Sequence, residues 1–502
     1  MPSNIAKDTW RDINEKTLKS VQLSNKEKLL LDAVDSSRQD LIELVTDLIK
    51  LDSRSYEPGQ YSNLKPIACY ISDFFNSISF STKIYKCPHP DTEHPEREYW
   101  PNVVATTDVG DGKILQFNGH MDVVPFHAKR WYKIDDPLSP EVIDGRIYGR
   151  GAVDMKGGIA AQMIACKLFQ KHSQANNGGL QVWYSPDEEM DGYYGVQYMF
   201  ENHRRVVAAD ATIIAEPTGQ FPIKNPALIV GEKGHAWMHF TVYGASGHGS
   251  MPKPKSNAVN KAVRFISNFE DCRIPKVKPP LSKLDLLKAV LSRYKLLDLI
   301  RLLKSMGNDD NNPVKNAYDE DGVSLYPFFN NTCSFTGMNG GEKVNVIPDM
   351  CNFTLDMRLL PGISKQEIIK AISDYCTDLG YKIEILGNYG NTQEGLDDFT
   401  QRPVDIELNI ESMTVGTFVD PKFPFVKLMG KTFEDIYRVR NVHFFAPGGT
   451  DGGYMRHHGM KNVVVFGPPG RNAHTADEFV YVDQLIKACK MYLLTAYRLL
   501  VK

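Results

Sequence analysis

No stretch of this 502-residue sequence approaches the run of about 18 apolar residues that a membrane-crossing helix needs. Residues 1–20 are polar and contain no apolar core of signal-peptide length. Neither sign of charge dominates: 58 lysines and arginines oppose 61 aspartates and glutamates, a formal net charge of -3. That balance gives no electrostatic basis for gripping nucleic acid or an anionic membrane. The eight cysteines (Cys69, Cys87, Cys166, Cys272, Cys333, Cys351, Cys376 and Cys489) lie far apart and form no Cys-x-x-Cys pair, which excludes a zinc ribbon and a dithiol redox motif. Scattered thiols suit a reducing compartment. Internal repeats and extended low-complexity segments are also absent. These absences lead to the expectation of a cytoplasmic protein whose partners are small molecules.

What is present is globular material, 42% hydrophobic and 24% charged, enough for a packed core. A chain of this length exceeds what one core serves, so two domains, or one with an insertion, are expected. In 40–51, Leu41, Leu44, Val45, Leu48 and Ile49 recur at helical spacing, predicting an amphipathic helix that opens the fold. Short apolar runs follow at 102–107, 114–118, 180–185, 211–215 and 463–466, with helical stretches such as 158–172 between them. Buried strands alternating with helices predict an α/β fold with a central sheet flanked by helices.

The pattern changes near Glu232. Met238, Phe240 and Val242 alternate with His239, Thr241 and Tyr243, the mark of a half-exposed strand, and a helical run over 257–269 comes next. Further on, 351–359 reads as a strand, 365–379 as a helix and 382–386 as a strand. Strand, helix, two strands, helix, strand is the order of a small ferredoxin-like α+β domain. The expected organisation is a main domain in two parts, 1–231 and 396–502, with the smaller domain inserted at 232–395. Inside the insertion, Leu284, Leu287, Leu291, Tyr294, Leu297, Ile300 and Leu303 form a helical stripe with six lysines and arginines against two aspartates around it. Packing against its own domain or a partner chain is the expected use of that stripe, and a membrane surface is the rival.

Two histidines and several carboxylates stand just past the predicted strands: Gly119-His120-Met121-Asp122, Asp187-Glu188-Glu189, Ala215-Glu216-Pro217 and Ala473-His474, with Asp154 in the Gly-rich turn Gly151-Ala152-Val153-Asp154-Met155-Lys156-Gly157-Gly158. Each has an ordinary explanation by itself: a satisfied core histidine, a helix-capping aspartate, a solvated acidic turn. Together, imidazoles and carboxylates without a thiolate suit a pair of zinc-like ions. Asp154 can bridge two such ions, one oxygen to each. Spacing by two residues would let Asp122 accept a hydrogen bond from the second ring nitrogen of a metal-bound His120. Of the adjacent glutamates, Glu189 is read as a ligand and Glu188 as the free base that takes a proton from water.

These motifs resemble the M20 metallopeptidase and deacylase clan, and within it the acetylornithine deacetylase / succinyl-diaminopimelate desuccinylase group. The resemblance covers roughly 36–270 and 330–490, and its most specific block joins His120-Met121-Asp122-Val123-Val124-Pro125, Trp131, Asp144-Gly145, Tyr148-Gly149-Arg150-Gly151 and Asp154 to Gly158. It implies that His120, Asp154 and Glu216 hold one metal and that Asp154, Glu189 and His474 hold the other. It further implies Glu188 as catalytic base, Asp122 as the orienting acid and a cis peptide at Asp154-Met155. The inserted domain would be a lid and dimerisation domain, with His248 in Gly247-His248-Gly249-Ser250 reaching the reacting carbonyl, often from the partner subunit. Asn345, Arg358 and Thr450 resemble substrate-holding positions, Arg358 as a fork for a carboxylate. Residues 1–35 and 272–328 are an extension and an insertion without clear counterparts.

The expected activity is hydrolysis of the amide of an N-acyl amino acid by two divalent ions, zinc by donor type, with cobalt or manganese also compatible. A dipeptidase or carboxypeptidase on the same scaffold is the rival, since both reactions attack an amide beside a carboxylate-bearing unit. A silent metal-binding scaffold would lack the base or a ligand, and here all six positions are filled. A homodimer through the lid is expected.

Overall fold

The computed structural model describes residues 23–55, 63–88, 99–107, 110, 112–173, 175, 178–219, 226–254, 256–275, 277, 330–387, 404–441, 443–446 and 448–502. Among these, one large mixed sheet organises the chain. Its strands run in the order Ser81–Pro88, Tyr99–Thr106, Gly178–Ser185, Lys113–His120, Ala211–Ile214, Val463–Val465, Leu228–Glu232 and Thr417–Phe418, with His443–Ala446 pairing beside Leu228–Glu232. The four central strands are parallel to one another, and the side chains of Leu115, Phe117, Leu180, Val182, Trp183 and Ile213 are buried. Burial on both faces explains why these segments read as continuous apolar runs rather than alternating ones.

Helix Lys156–His172 is buried along nearly its whole length and packs with the C-terminal helix Val482–Leu500 against this sheet. Its close approach requires Gly158, since a methyl group there would stand 2.4 Å from the carbonyl oxygen of Ala215. The expected helix over 40–51 is found as Arg38–Lys50, with Leu41, Leu44, Val45, Leu48 and Ile49 buried. It does not open the fold. Helix Asn25–Ser36 precedes it, so the segment treated as an extension at 1–35 includes core structure, while residues 1–22 lie outside the described ones. Ser24 and Glu27 form a reciprocal cap at its start, and Leu30 and Val34 enter the main core.

The second sheet is the one foreseen after Glu232, with one strand more. Its order is Thr332–Gly340, Met350–Leu359, Gly234–Tyr243, Ile406–Met413 and Ile383–Leu386. Helices Ala258–Ser267 and Lys365–Asp378 supply residues to a core with Met238, Phe240, Val242, Phe353 and Leu355. The expected return to the main body at 396 is corrected: 388–403 lies outside the described residues, and Ile406–Met413 pairs antiparallel with Gly234–Tyr243. The cause is a period-two pattern, Ile406, Leu408 and Ile410 buried with Glu407, Asn409 and Glu411 between them, which drives the segment into the smaller core. The stripe at 284–303 lies outside the described residues.

The chain crosses between the two sheets twice, at 232–234 and 413–417. The crossings pack backbone to backbone, and a methyl group on Gly234 would lie 2.2 Å from the carbonyl oxygen of Thr414 and 2.6 Å from the amide of Gly416. Glycine is required there by contact, independent of its dihedral freedom. Among the described residues, no helix is long and apolar enough to cross a membrane.

Helix Asn25–Ser36 is joined to the C-terminal helix by Glu27, whose buried carboxylate receives Arg498 Nε at 2.8 Å and Lys502 Nζ at 3.1 Å. Burial alone would raise this acid, but the Ser24 backbone amide, Arg498 and Lys502 hold it down at about 2. A depressed carboxyl contributes stability that is full above its unfolded value and is lost as pH falls through its folded one. Glu27→Gln is expected to cost about 3 kcal/mol near pH 7, read as a lower thermal midpoint. That cost should shrink as pH falls from 4.5 toward 2; a pH-independent loss would reject the ion pair as its cause.

Candidate metal centre

Strands Gly178–Ser185, Lys113–His120 and Ala211–Ile214 end side by side, and open α/β sheets bind ligands at that edge. His120 is the last residue of its strand, Asp187, Glu188 and Glu189 follow Ser185, and Glu216 follows Ile214. The loop after the parallel strand Val463–Val465 brings His474, whose backbone sits in the left-handed region at φ 63. Asp154 arrives in the turn before helix Lys156–His172, through a cis peptide to Met155.

Five of these side chains form two donor groups that share Asp154. His120 Nε2 lies 3.2 Å from Asp154 Oδ1 and 3.2 Å from Glu216 Oε1. His474 Nε2 lies 3.1 Å from Asp154 Oδ2 and 3.0 Å from Glu189 Oε2. Each oxygen of Asp154 therefore faces a different imidazole. Glu188 stands at the margin, its Oε2 4.0 Å from His120 Nε2.

The electrostatics are those of crowded acids. Burial, then Glu216, pushes Glu188 well above the usual carboxylate range. Burial and Asp154 push Glu216 up to about 7, and burial also raises Glu189. Against the pull of burial, His120 and His474 hold Asp154 below that range. Hydrogen bonds to Asp154 and Glu189 carry His474 up to about 10. Glu189 Oε1 is buried without a hydrogen-bond partner. Nitrogen and oxygen donors, excess negative charge and an unsatisfied carboxylate oxygen all fit divalent cations.

Asp122 stands at its expected place beside His120. His120 Nδ1 lies 2.9 Å from the Asp122 carbonyl oxygen, nearer than the 3.4 Å to the carboxylate. The carboxylate also accepts the backbone amides of Glu188 and Glu189, both at 3.2 Å, and the Ser55 hydroxyl at 3.1 Å. One buried acid thus fixes the imidazole through its backbone and the acidic turn through its side chain.

Sequence reasoning does not single out Glu478, which holds the turn of Asp154. Its fully buried carboxylate accepts the backbone amides of Gly151 at 3.1 Å, Val153 at 2.9 Å and Asp154 at 3.1 Å, and pairs with Arg150. Four residues after His474, it ties both imidazole loop and aspartate turn to one another. Nothing local in the sequence marks it, because its partners lie more than three hundred positions away.

A cleft of about 390 Å³ opens beside Glu188, Glu189 and His474 and runs to the smaller sheet at Lys233, His235, Trp237 and Arg358, with Thr450 and Asp451 along it. Two expected substrate-holding groups are already engaged. Arg358 is paired with Asp356 through one edge of its guanidinium, Nε to Oδ1 and Nη2 to Oδ2 each at 2.9 Å, and lines the cleft. The Thr450 hydroxyl donates to Glu232 Oε1 at 2.6 Å, and Arg456 Nη1 reaches the same oxygen at 3.0 Å. His248 and Asn345 lie together on a short ribbon formed by Gly247–His248 and Val346–Ile347, exposed, and neither lines the cleft.

Two measurements test the centre. Since imidazoles ligate only when neutral, zinc binding should expel the proton that His474 keeps below about 10 and any held by Glu216 below about 7. Calorimetry in buffers of different ionisation enthalpy should show net proton release at pH 7, and affinity should fall from pH 8 to pH 6; binding without release would reject these ligands. Glu478→Gln should weaken zinc binding about 10- to 100-fold, whereas unchanged affinity would show that the Asp154 turn holds itself.

Comparison with known proteins agrees with this geometry. The model of Peptidase family M20/M25/M40 matches residues 116–498. An uncharacterized metallohydrolase of Methanococcus maripaludis is 24% identical over 458 residues, 90% of this chain and 97% of that protein. A protein of Staphylococcus aureus named probable succinyl-diaminopimelate desuccinylase is 24% identical over 459 residues, 90% of this chain and 95% of its own. Human carnosine dipeptidase 1 shares the fold, with a TM-score of 0.67 at 15% identity over 94% of this chain and 98% of that one. A match spanning most of the chain, with both donor groups inside it, makes this protein a metal-dependent hydrolase of the M20 peptidase family.

Proposed function

We propose that this hydrolase removes the acyl group from N-acyl amino acids, using two zinc ions held by His120, Asp154 and Glu216 and by Asp154, Glu189 and His474. The observation that carries the reading is the pair of donor groups sharing Asp154, with Glu188 beside them and outside both. Such a pair of ions, when bound, supplies Lewis acidity and makes water acidic enough to serve as a nucleophile near neutral pH. Cobalt or manganese suits the same donors.

Glu188 acts as the base. Its raised basicity, caused by burial and by Glu216, matches a group that must accept a proton near neutrality and give it up again. It takes the proton of the attacking water, the water oxygen bonds to the amide carbon, and the carbon–nitrogen bond breaks as Glu188 returns the proton to the leaving amine. Products are a carboxylate and a free amino acid. Asp122 holds the acidic turn and the His120 ring in register with that exchange. The smaller sheet walls the cleft on the far side, which keeps bulk water from the developing charge.

The family relative named a desuccinylase favours deacylation. The fold shared with a human dipeptidase supports cleavage of dipeptides as a second reading. Exposure of His248 and Asn345 away from the cleft supports a homodimer in which each smaller domain lends His248 to the reacting carbonyl in its partner's cleft.

Zinc-loaded protein offered N-acetyl, N-succinyl and N-formyl amino acids beside dipeptides is expected to turn over an acylated amino acid fastest. Glu188→Gln should keep both metals and lose about 10²- to 10⁴-fold in kcat. Faster dipeptide cleavage would promote the second reading, and full activity in Glu188→Gln would remove that residue from the reaction. Mixing inactive Glu188→Gln with inactive His248→Ala should restore part of the activity if His248 acts across a dimer; no recovery on subunit exchange would confine it to its own chain.

A further inference from the structure

Lys233 stands at the first crossing between the two sheets, and its surroundings do not explain it. The residue is 4% exposed, its Nζ has no hydrogen-bond partner, and it lines the cleft beside the metal centre. A buried ammonium without an acceptor is costly. A methionine of similar length would fill the same space without that cost.

Neighbouring acids do not serve it. Glu232, the residue before, is committed to Thr450 and to Arg456. Asp356 is committed to Arg358. The other basic groups on this wall are also occupied: His235 meets Ser412 Oγ at 2.8 Å through Nε2 and Thr414 Oγ1 at 3.1 Å through Nδ1. The backbone of Lys233 is fixed by a bond from its amide to the Ala446 carbonyl at 3.1 Å and by the tight glycine contact at Gly234. Such a lysine cannot relieve its burial by moving the chain.

We propose that Lys233 is the anchor for a carboxylate of the substrate remote from the scissile amide, making it a specificity-determining residue. The proposal rests on the reading above, that this cleft takes an acylated amino acid. Burial pulls the free amine down to about 7, and an arriving carboxylate would restore its charge and complete its missing hydrogen bond. Arg358, paired with Asp356, then serves as a fixed positive neighbour. The carboxylate could belong to the amino acid or to a dicarboxylic acyl group, two sources of one chemistry.

Two substrate pairs separate them: N-acetylalanine against N-acetylalaninamide, and N-succinylalaninamide against N-butyrylalaninamide. In one pair the wild type should prefer the acid in kcat/KM by about 10- to 100-fold, the size of a charge-assisted hydrogen bond, and Lys233→Met should erase that preference while Lys233→Arg keeps part of it. The pair affected names the source. An equal preference in wild type and Lys233→Met for both pairs overturns the proposal. If no compound is turned over at all, the functional reading fails first; calorimetric binding of the same four compounds to the zinc-loaded chain then reads the acid preference directly, with the same two outcomes. A scaffold role predicts a lower thermal midpoint for Lys233→Met, whereas an anchor predicts an equal or higher one, because the variant removes an unpaired buried charge.

Discussion

Repulsion between buried carboxylates is the constraint around which this molecule is built. Asp154, Glu188, Glu189 and Glu216 converge at one edge of a buried sheet, and such groups resist being ionised together. Two imidazoles offset part of that charge, one for each oxygen of Asp154. The remainder is what makes the site receptive to cations and keeps Glu188 basic. The surrounding protein serves to hold groups that would otherwise separate: Asp122 clasps the acidic turn, and Glu478 clasps the turn of Asp154.

The donor residues were legible because each occupies a place that sequence can mark. His120, Glu188, Glu189 and Glu216 follow short apolar runs, and Asp154 sits among glycines before a helical stretch. The clasps were not legible, since a carboxylate that accepts three backbone amides from a distant turn has no local signature. Asp122 lies between these cases: its position was readable, but a choice between carbonyl and carboxylate as the partner of His120 depends on tenths of an ångström. The engagement of Arg358 could have been read, because Asp356 stands two positions before it and therefore on the same face of the strand.

For the fold, periodicity identified the central strands and the helix Arg38–Lys50, which are long or fully buried. It missed Ile406–Met413, where charged residues alternate with the apolar ones and the strand joins a sheet begun far upstream. Helix Asn25–Ser36 carried its own start signal in Ser24 and Glu27, but its partner is the C-terminal helix, a contact that only tertiary packing reveals. Lys233 belongs with these cases, since its burial follows from the second sheet closing over it.

The second imidazole and the clasp on the bridging aspartate both come from the short segment around 474–478, after nearly all of the chain. During synthesis a growing polypeptide therefore carries the acidic turns long before it carries the residues that bind them into a centre. Such a fragment is a set of mutually repelling acids with one of the two imidazoles that offset them. The complete donor set therefore exists only in a chain made through that loop.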